Sequence, residues 1–346
     1  MAYTTINKST DYFNTKLWTG NGSTQNITGV NHTPDFVWIK KRTDADGARI
    51  FDTIRGATKG IFTNSGSAET TVTSELSAFG SDGYTLGASD AVNGNSKNYV
   101  GWNWKANGAS SANTNGSINS TVSANTTSGF SIVSYTGYGS NSTVGHGLGV
   151  APKMIIVKNR DTTNGWEVYH HGIGDTKYLQ LHTTAAEGTS SSRWNNTSPT
   201  NTVFTVGTEN GVNKSGSNLI AYCFAEKAGY SKFGKYIGNG NANGTFVYTG
   251  FKPAFLLMKR TNNAAHWIMY DNKRSTSSKN LTDKYFYASL SDAENTDTSE
   301  GMDFLSNGFK HRNAFNAANG SGDTFIYMAF ASAPLVGSNN IPATAR

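Results

Sequence analysis

Apolar runs in this chain are short and come at regular intervals, separated by stretches of Asn, Ser, Thr and Gly. Three of them share one frame, opening on a proline and ending in a lysine: Pro34-Asp-Phe-Val-Trp-Ile-Lys40, Pro152-Lys-Met-Ile-Ile-Val-Lys158 and Pro253-Ala-Phe-Leu-Leu-Met-Lys259. Runs of this length, rich in β-branched and aromatic residues and bounded by turn formers, predict strands. Counting from each proline without gaps, position +14 holds Ala48, Trp166 and Trp267, and position +17 holds Phe51, Tyr169 and Tyr270. An Ala-Glu pair follows at Ala68-Glu69, Ala186-Glu187 and Ala293-Glu294. Each unit then closes on an aromatic-rich strand ending at Trp104, Phe224 or Phe330. This frame predicts a threefold internal repeat.

The closing strands alternate, so their two faces can be read separately. One face carries Val100, Trp102 and Trp104, then Ile220, Tyr222 and Phe224, then Ile326, Met328 and Phe330. The other carries Tyr99, Gly101 and Asn103, then Leu219, Ala221 and Cys223, then Phe325, Tyr327 and Ala329. A strand apolar on both sides is covered on both sides. The predicted fold class is therefore all-β: three homologous antiparallel β-sandwich units, jelly-roll-like, with little helix. The one stretch with helical character, Ala68 to Phe79, allows a turn or two.

Boundaries follow from composition. Residues 1–106 form the first unit, 107–128 a Ser/Asn/Gly-rich linker, 129–230 the second unit, 231–336 the third, and 337–346 a polar tail. The junction from Glu226 to Gly238 is shorter than this linker and carries Tyr230, Phe233 and Tyr236. Units two and three are thus expected to pack together, with the first freer to move. Across the 346 residues, 38 glycines and only 15% charged residues fit many short strands joined by tight turns.

Charge and cysteine content narrow the function classes. The net charge of +6 comes from scattered basic residues, densest at Lys40-Lys41-Arg42 and Lys273-Arg274, with no nucleic-acid-binding motif, so no nucleic-acid partner is expected. No signal-peptide core or membrane-length apolar run is seen, which predicts synthesis in the cytoplasm and no membrane insertion. The single cysteine, Cys223, is matched by Asn103 and Ala329 in the other units, which predicts a packing role.

Signatures of catalysis are sparse. Gly145-His-Gly-Leu-Gly149 and Gly238-Asn-Gly-Asn-Ala-Asn-Gly244 lack the strand, helix and Lys-Ser/Thr of a phosphate loop and read as turns. His170-His171 with Asp175 has no counterpart in the other units, which place Asp52-Thr53 and Asp271-Asn272 there, so no metal or other cofactor is expected. Two repeated features stand out. Lys40, Lys158 and Lys259 could pair with Glu69, Glu187 and Glu294 of their own units at the sandwich rim. Trp166, Tyr169, Trp267 and Tyr270 either fill the core or offer ring faces on which sugars stack.

Several motifs together resemble a repeat family of virion proteins from marine tailed bacteriophages. They are Tyr-Thr-Gly at 135–137 and 248–250, Gly145-His-Gly-Leu-Gly-Val-Ala-Pro-Lys-Met154, the proline strands, Asp52-Thr-Ile-Arg-Gly56 and Phe304-Leu-Ser-Asn-Gly-Phe309. The resemblance covers nearly the whole chain. It implies a non-enzymatic structural or adhesive component of the virion, a tail fibre, spike or tail tip, whose partners are other virion proteins and a host surface glycan. Alternatives are a capsid decoration protein and a polysaccharide-degrading tail enzyme. Virion symmetry would favour a homo-oligomer, trimeric or larger. The second unit departs from the pattern, with Gly172-Ile-Gly174 in place of the Arg-Gly of the first.

Overall fold

A computed structural model describes residues 4–275, 280–296 and 301–336; the polar tail expected at 337–346 lies outside them. The fold is all-β, 44% strand and 6% helix, and every strand pair in its sheets is antiparallel. Among the described residues no helix is long and apolar enough to cross a membrane.

Three large sheets repeat one strand order. In the first, Phe13–Thr19 lies beside the closing strand Asn98–Trp104, followed by the proline strand Phe36–Lys41, then Arg49–Asp52, Lys59–Phe62 and Thr70–Thr71. In the second, Phe130–Thr136 is followed by Asn218–Phe224, Met154–Asn159, Trp166–His170, Lys177–Gln180 and Gly188–Thr189. In the third, Ser231–Ile237 is followed by Thr324–Pro334, Phe251–Arg260, Ile268–Asp271, Lys284–Tyr287 and Asn295–Thr296. Each large sheet is faced by a smaller one, built around the pairs Gln25–Ile27 with Gly83–Leu86, Ser142–Gly145 with Val203–Val206, and Phe246–Tyr248 with Gly308–His311.

The two faces of each closing strand lead to two kinds of core. Tyr99, Leu219, Ala221, Cys223, Phe325, Tyr327 and Ala329 enter three separate outer cores, one per unit. At Gly101 the Tyr84 hydroxyl and the Trp18 ring fill the space a side chain would need, approaching within 2.4 and 3.1 Å of a Cβ placed there. The nine bulky residues of the opposite faces enter a single central core shared by all three units. Trp104, Phe224 and Phe330 form a triangle with ring centroids 6.4, 6.1 and 5.5 Å apart. Aromatic contacts at such distances add about 0.5–1.5 kcal/mol each beyond the area they bury.

Three expectations are corrected. The first unit is not freer than the others: Phe13 meets Phe255 and Phe330 of the third unit at 5.7 and 5.3 Å, and Phe36 meets Tyr222 of the second at 4.6 Å. Its bulky face needs both neighbours to leave water. Residues 107–128 are not a linker, because Ser111–Asn113 and Ser120–Asn125 extend the second sheet to eight strands. The strand was hidden because its inward positions include serines. Ser120 and Ser123 are buried, and the Ser123 hydroxyl accepts from the Asn107 amide at 3.0 Å, beside the apolar Ile118 and Val122. Finally, the stretch from Ala68 to Phe79 contains strands rather than a helix, Thr70–Thr71 and the start of Leu76–Gly80. Single α-helical turns occur instead at Asp90–Asn93, Asn210–Asn213 and Asn316–Asn319, each just before a closing strand, with another at Ser191–Trp194 and a 3-10 turn at Ser9–Asp11.

Candidate functional site

The repeated glutamates do not pair with the lysines of their own units. Each backbone N–H of Glu69, Glu187 and Glu294 donates to the next unit around the ring, to the carbonyls of Arg160, Thr261 and Arg42 at 2.8, 2.7 and 2.9 Å. These partners stand two residues beyond the lysines. Where the partner is arginine, the side chains clasp as well. Arg160 binds Glu69 through two bonds of 2.9 and 3.0 Å, and Arg42 binds Glu294 through two of 2.9 Å. Arg55 and Arg274 reach the same carboxylates from within their own units, each at 3.1 Å. Burial works against ionisation of Glu69 and Glu294, but the surrounding arginines hold both below the ordinary carboxylate range. Glu187 faces Thr261 instead of arginine and pairs with Lys177.

The lysines turn inward. The Lys40 ammonium donates to the carbonyls of Asp46 and Leu290, Lys158 to that of Asn159, and Lys259 to those of Thr184 and Ala265. All three are buried, and loss of hydration pushes each down to about 8. Lys40 and Lys259 thereby join neighbouring units through Leu290 and Thr184, Lys158 bonds within its own unit, and none of the three is a rim ion pair with its unit's glutamate.

The aromatic candidates are also structural. Trp166, Tyr169, Trp267 and Tyr270 are at most 4% exposed and have no ring face free for a sugar. The indole N–H of Trp166 donates to the Phe62 carbonyl at 2.8 Å and that of Trp267 to Gln180 at 2.9 Å, both in the preceding unit. The Arg-Gly element has a similar use. Arg55 and Arg274 are buried on Asp52 and Asp271, and these aspartates accept from Tyr222 and Trp102 of neighbouring units at 2.8 and 2.9 Å. In the second unit His170 takes the aspartate position, and its Nε2 lies 3.1 Å from the Tyr327 carbonyl. An imidazole facing a carbonyl needs no arginine, which accounts for Ile173 there. His170 is therefore a joint as well, and its Nδ1 is occupied by the Gly172 N–H at 3.0 Å. Among the described residues no group of three His, Cys, Asp or Glu side chains is placed to hold a metal.

One open cleft lies where the first unit meets the extra hairpin of the second. It encloses about 460 Å³, lined by Tyr12, Thr33, Asp35 and Lys105 on one side and by Asn107 and the 124–127 turn on the other. Asp35 fixes its floor. One carboxylate oxygen accepts from the amides of Ala106 and Gly108 at 2.7 and 3.3 Å, the other from the Thr53 hydroxyl at 3.2 Å. Burial nevertheless raises its pKa. Asn125 closes the turn by donating to the Ala106 carbonyl at 3.0 Å.

A family model described as a domain of unknown function, DUF7483, matches residues 8–334. The chain belongs to the DUF7483 family. No curated protein matches it.

One set of residues in this DUF7483 chain escaped the sequence reading. Asn93, Asn213 and Asn319 end the helical turns before the closing strands, and all are fully buried. Their side-chain amides donate to the carbonyls of Gly87 (2.9 Å), Gly207 (2.7 Å) and Asn313 (2.8 Å). Their side-chain carbonyls accept from the backbone amides of Asn21, Tyr138 and Asn239. Each asparagine thus pins the loop after the first strand of its unit to the turn before the last. The signal was present: each stands eleven residues before the closing aromatic, Trp104, Phe224 or Phe330. It was masked by the abundance of asparagine elsewhere.

Proposed function

We propose that this chain is a non-enzymatic structural protein of a bacteriophage virion, a component of a tail fibre, spike or tail tip that meets the host surface. The observation that carries this reading is the use made of its recurrent polar groups. The repeated glutamates, Lys40 and Lys259, Asp52 and Asp271, and Trp166 and Trp267 bond across from one unit to another and close the three into one body around a shared aromatic core. Such cross-bracing suits a part that must keep its shape while projecting from a particle. The motif resemblance to virion proteins supports the same reading, as does the turn-rich all-β fold, which places many loops on the surface.

The test is location. Gold-labelled antibody against the chain, applied to purified virions, should mark tails or fibres. Label over the head would replace this reading with capsid decoration, and particles free of label would refute both. Release of reducing ends from host polysaccharide by the purified chain would favour the enzymatic alternative.

A further inference from the structure

The chain departs most from its repeated plan at the 107–128 segment, and the cleft is built from that departure. The first and third large sheets have six strands and the second has eight; the end of the second extra strand, Ser120–Asn125, and the turn that leads from it to Phe130–Thr136 make one cleft wall. An insertion in a repeated scaffold marks a surface the scaffold itself does not require.

The chemistry of the walls is selective. Asn107, Thr126 and Thr127 are exposed, and among the described residues their side chains and the Lys105 ammonium take no hydrogen bond from the protein. Tyr12 is half-buried and stands against Tyr230 with centroids 6.1 Å apart, so its ring is held in place. Hydroxyl and amide groups around a fixed aromatic ring suit a polyhydroxylated ligand, whose C–H faces stack while its hydroxyls bond. The charges decide the class further. The Asp35 carboxylate is already met by two amides and a hydroxyl, whereas Lys105 has no carboxylate bonded to it. Lys105 is near enough to Asp35 to favour its ionised form but bonds no carboxylate directly, so the cleft presents a cation able to take one beside hydroxyl-binding groups, in a volume suited to one or two sugar rings.

We infer that this cleft binds a carboxylate-bearing saccharide, with Lys105 meeting the carboxylate, Tyr12 stacking on the ring, and Asn107, Thr126 and Thr127 bonding its hydroxyls. The inference extends the host-surface reading but stands on the cleft alone. It is measured on the isolated chain, whereas location is measured on the particle, so either can fail without the other.

The experiment is saturation-transfer difference NMR with glucuronic acid as probe, repeated with glucose and with inorganic phosphate as competitor. Glucuronic acid should bind, Lys105→Met should weaken it about tenfold, the loss of one charge-assisted contact, and Tyr12→Leu should weaken it as well. Lys310→Met, in the smaller sheet of the third unit, should leave binding unchanged, and thermal melts of all variants establish that they are folded. No transfer to glucuronic acid at tens of millimolar would overturn the proposal. Equal binding of glucose with no effect of Lys105→Met would overturn it too, as would displacement by phosphate at equal concentration, which would reveal a simple anion site.

Discussion

Glu69, Glu187 and Glu294 hold the same place in their units but have different partners, so one substitution made at each position tests whether the clasps close the body. Glu69→Gln keeps the shape and removes the charge. It leaves Arg55, whose side chain is fully buried, with Asp52 as its remaining carboxylate beside the carbonyls of Lys59 and Ile50, and it breaks a two-bond clasp with Arg160, which is 20% exposed. Breaking a buried pair costs about 3–5 kcal/mol. Because Arg160 can be hydrated and glutamine can still accept one bond, the lower end, about 3 kcal/mol, is expected here. Glu294→Gln should cost a similar amount, since Arg42, Arg274 and Lys284 all meet that carboxylate. Glu187→Gln loses only Lys177, which is 38% exposed, and should cost about 0–1 kcal/mol. Urea unfolding at pH 7 is the assay, because guanidinium would screen the charges under test; midpoints are compared at constant slope. Equal losses at all three positions, or the largest loss at Glu187, would refute the account of the clasps.

Further predictions follow from burial. Trp104→Ala and Phe330→Ala should each cost about 3–5 kcal/mol, and Trp166→Ala should destabilise comparably, read from the same urea curves; a normal melt for Trp166→Ala would contradict its place in the core. His170 and His311 are fully buried, and burial pushes both down to about 3. Their folded pKa values lie below the unfolded value near 6.5, so the stability they permit is complete above that pH and is lost as pH falls towards 3. At pH 4.5 each contributes a loss of about 3 kcal/mol. His311→Leu, which installs the residue found at Leu86 in the first unit, should flatten this slope, since neither ring nitrogen of His311 has a partner to lose. Cys223 is fully buried with its thiol pushed up by desolvation, so a disulfide reagent should titrate no thiol in native protein and one after denaturation.

Much of the fold was legible in the sequence because strand alternation is a local property. The proline and closing strands could be read from a few residues each, and their bulky faces meet in the central core. What the sequence could not show is which unit a side chain reaches. Lys40 and Glu69 recur in the same order in every unit, which suggested pairing within a unit, yet strand order carries the glutamate to the neighbouring unit and Arg160. By type alone Trp166 and Trp267 fitted either a core or a sugar platform; the packing of units decides for the core, with both indoles buried on a neighbour's carbonyl. The 107–128 strands were missed because their buried positions include serines, whose burial depends on bonds to groups such as Asn107 that lie beyond any sequence window. The cleft at the same place combines Tyr12, Asp35 and Lys105 with residues 107–127, and no motif links them.

Joining three units in one chain changes how often any feature occurs. Three identical short chains around an axis would have to build every surface three times. Here the arginine clasp occurs at two junctions and is replaced by Thr261 at the third, and among the described residues the exposed pair Phe246 and Tyr248 belongs to the third unit. A body of this kind placed on a threefold partner could seat in three orientations that share a core but differ in the direction each surface faces. Fusion gives the ring a compass bearing, and averaging by symmetry would erase the features that distinguish its sides.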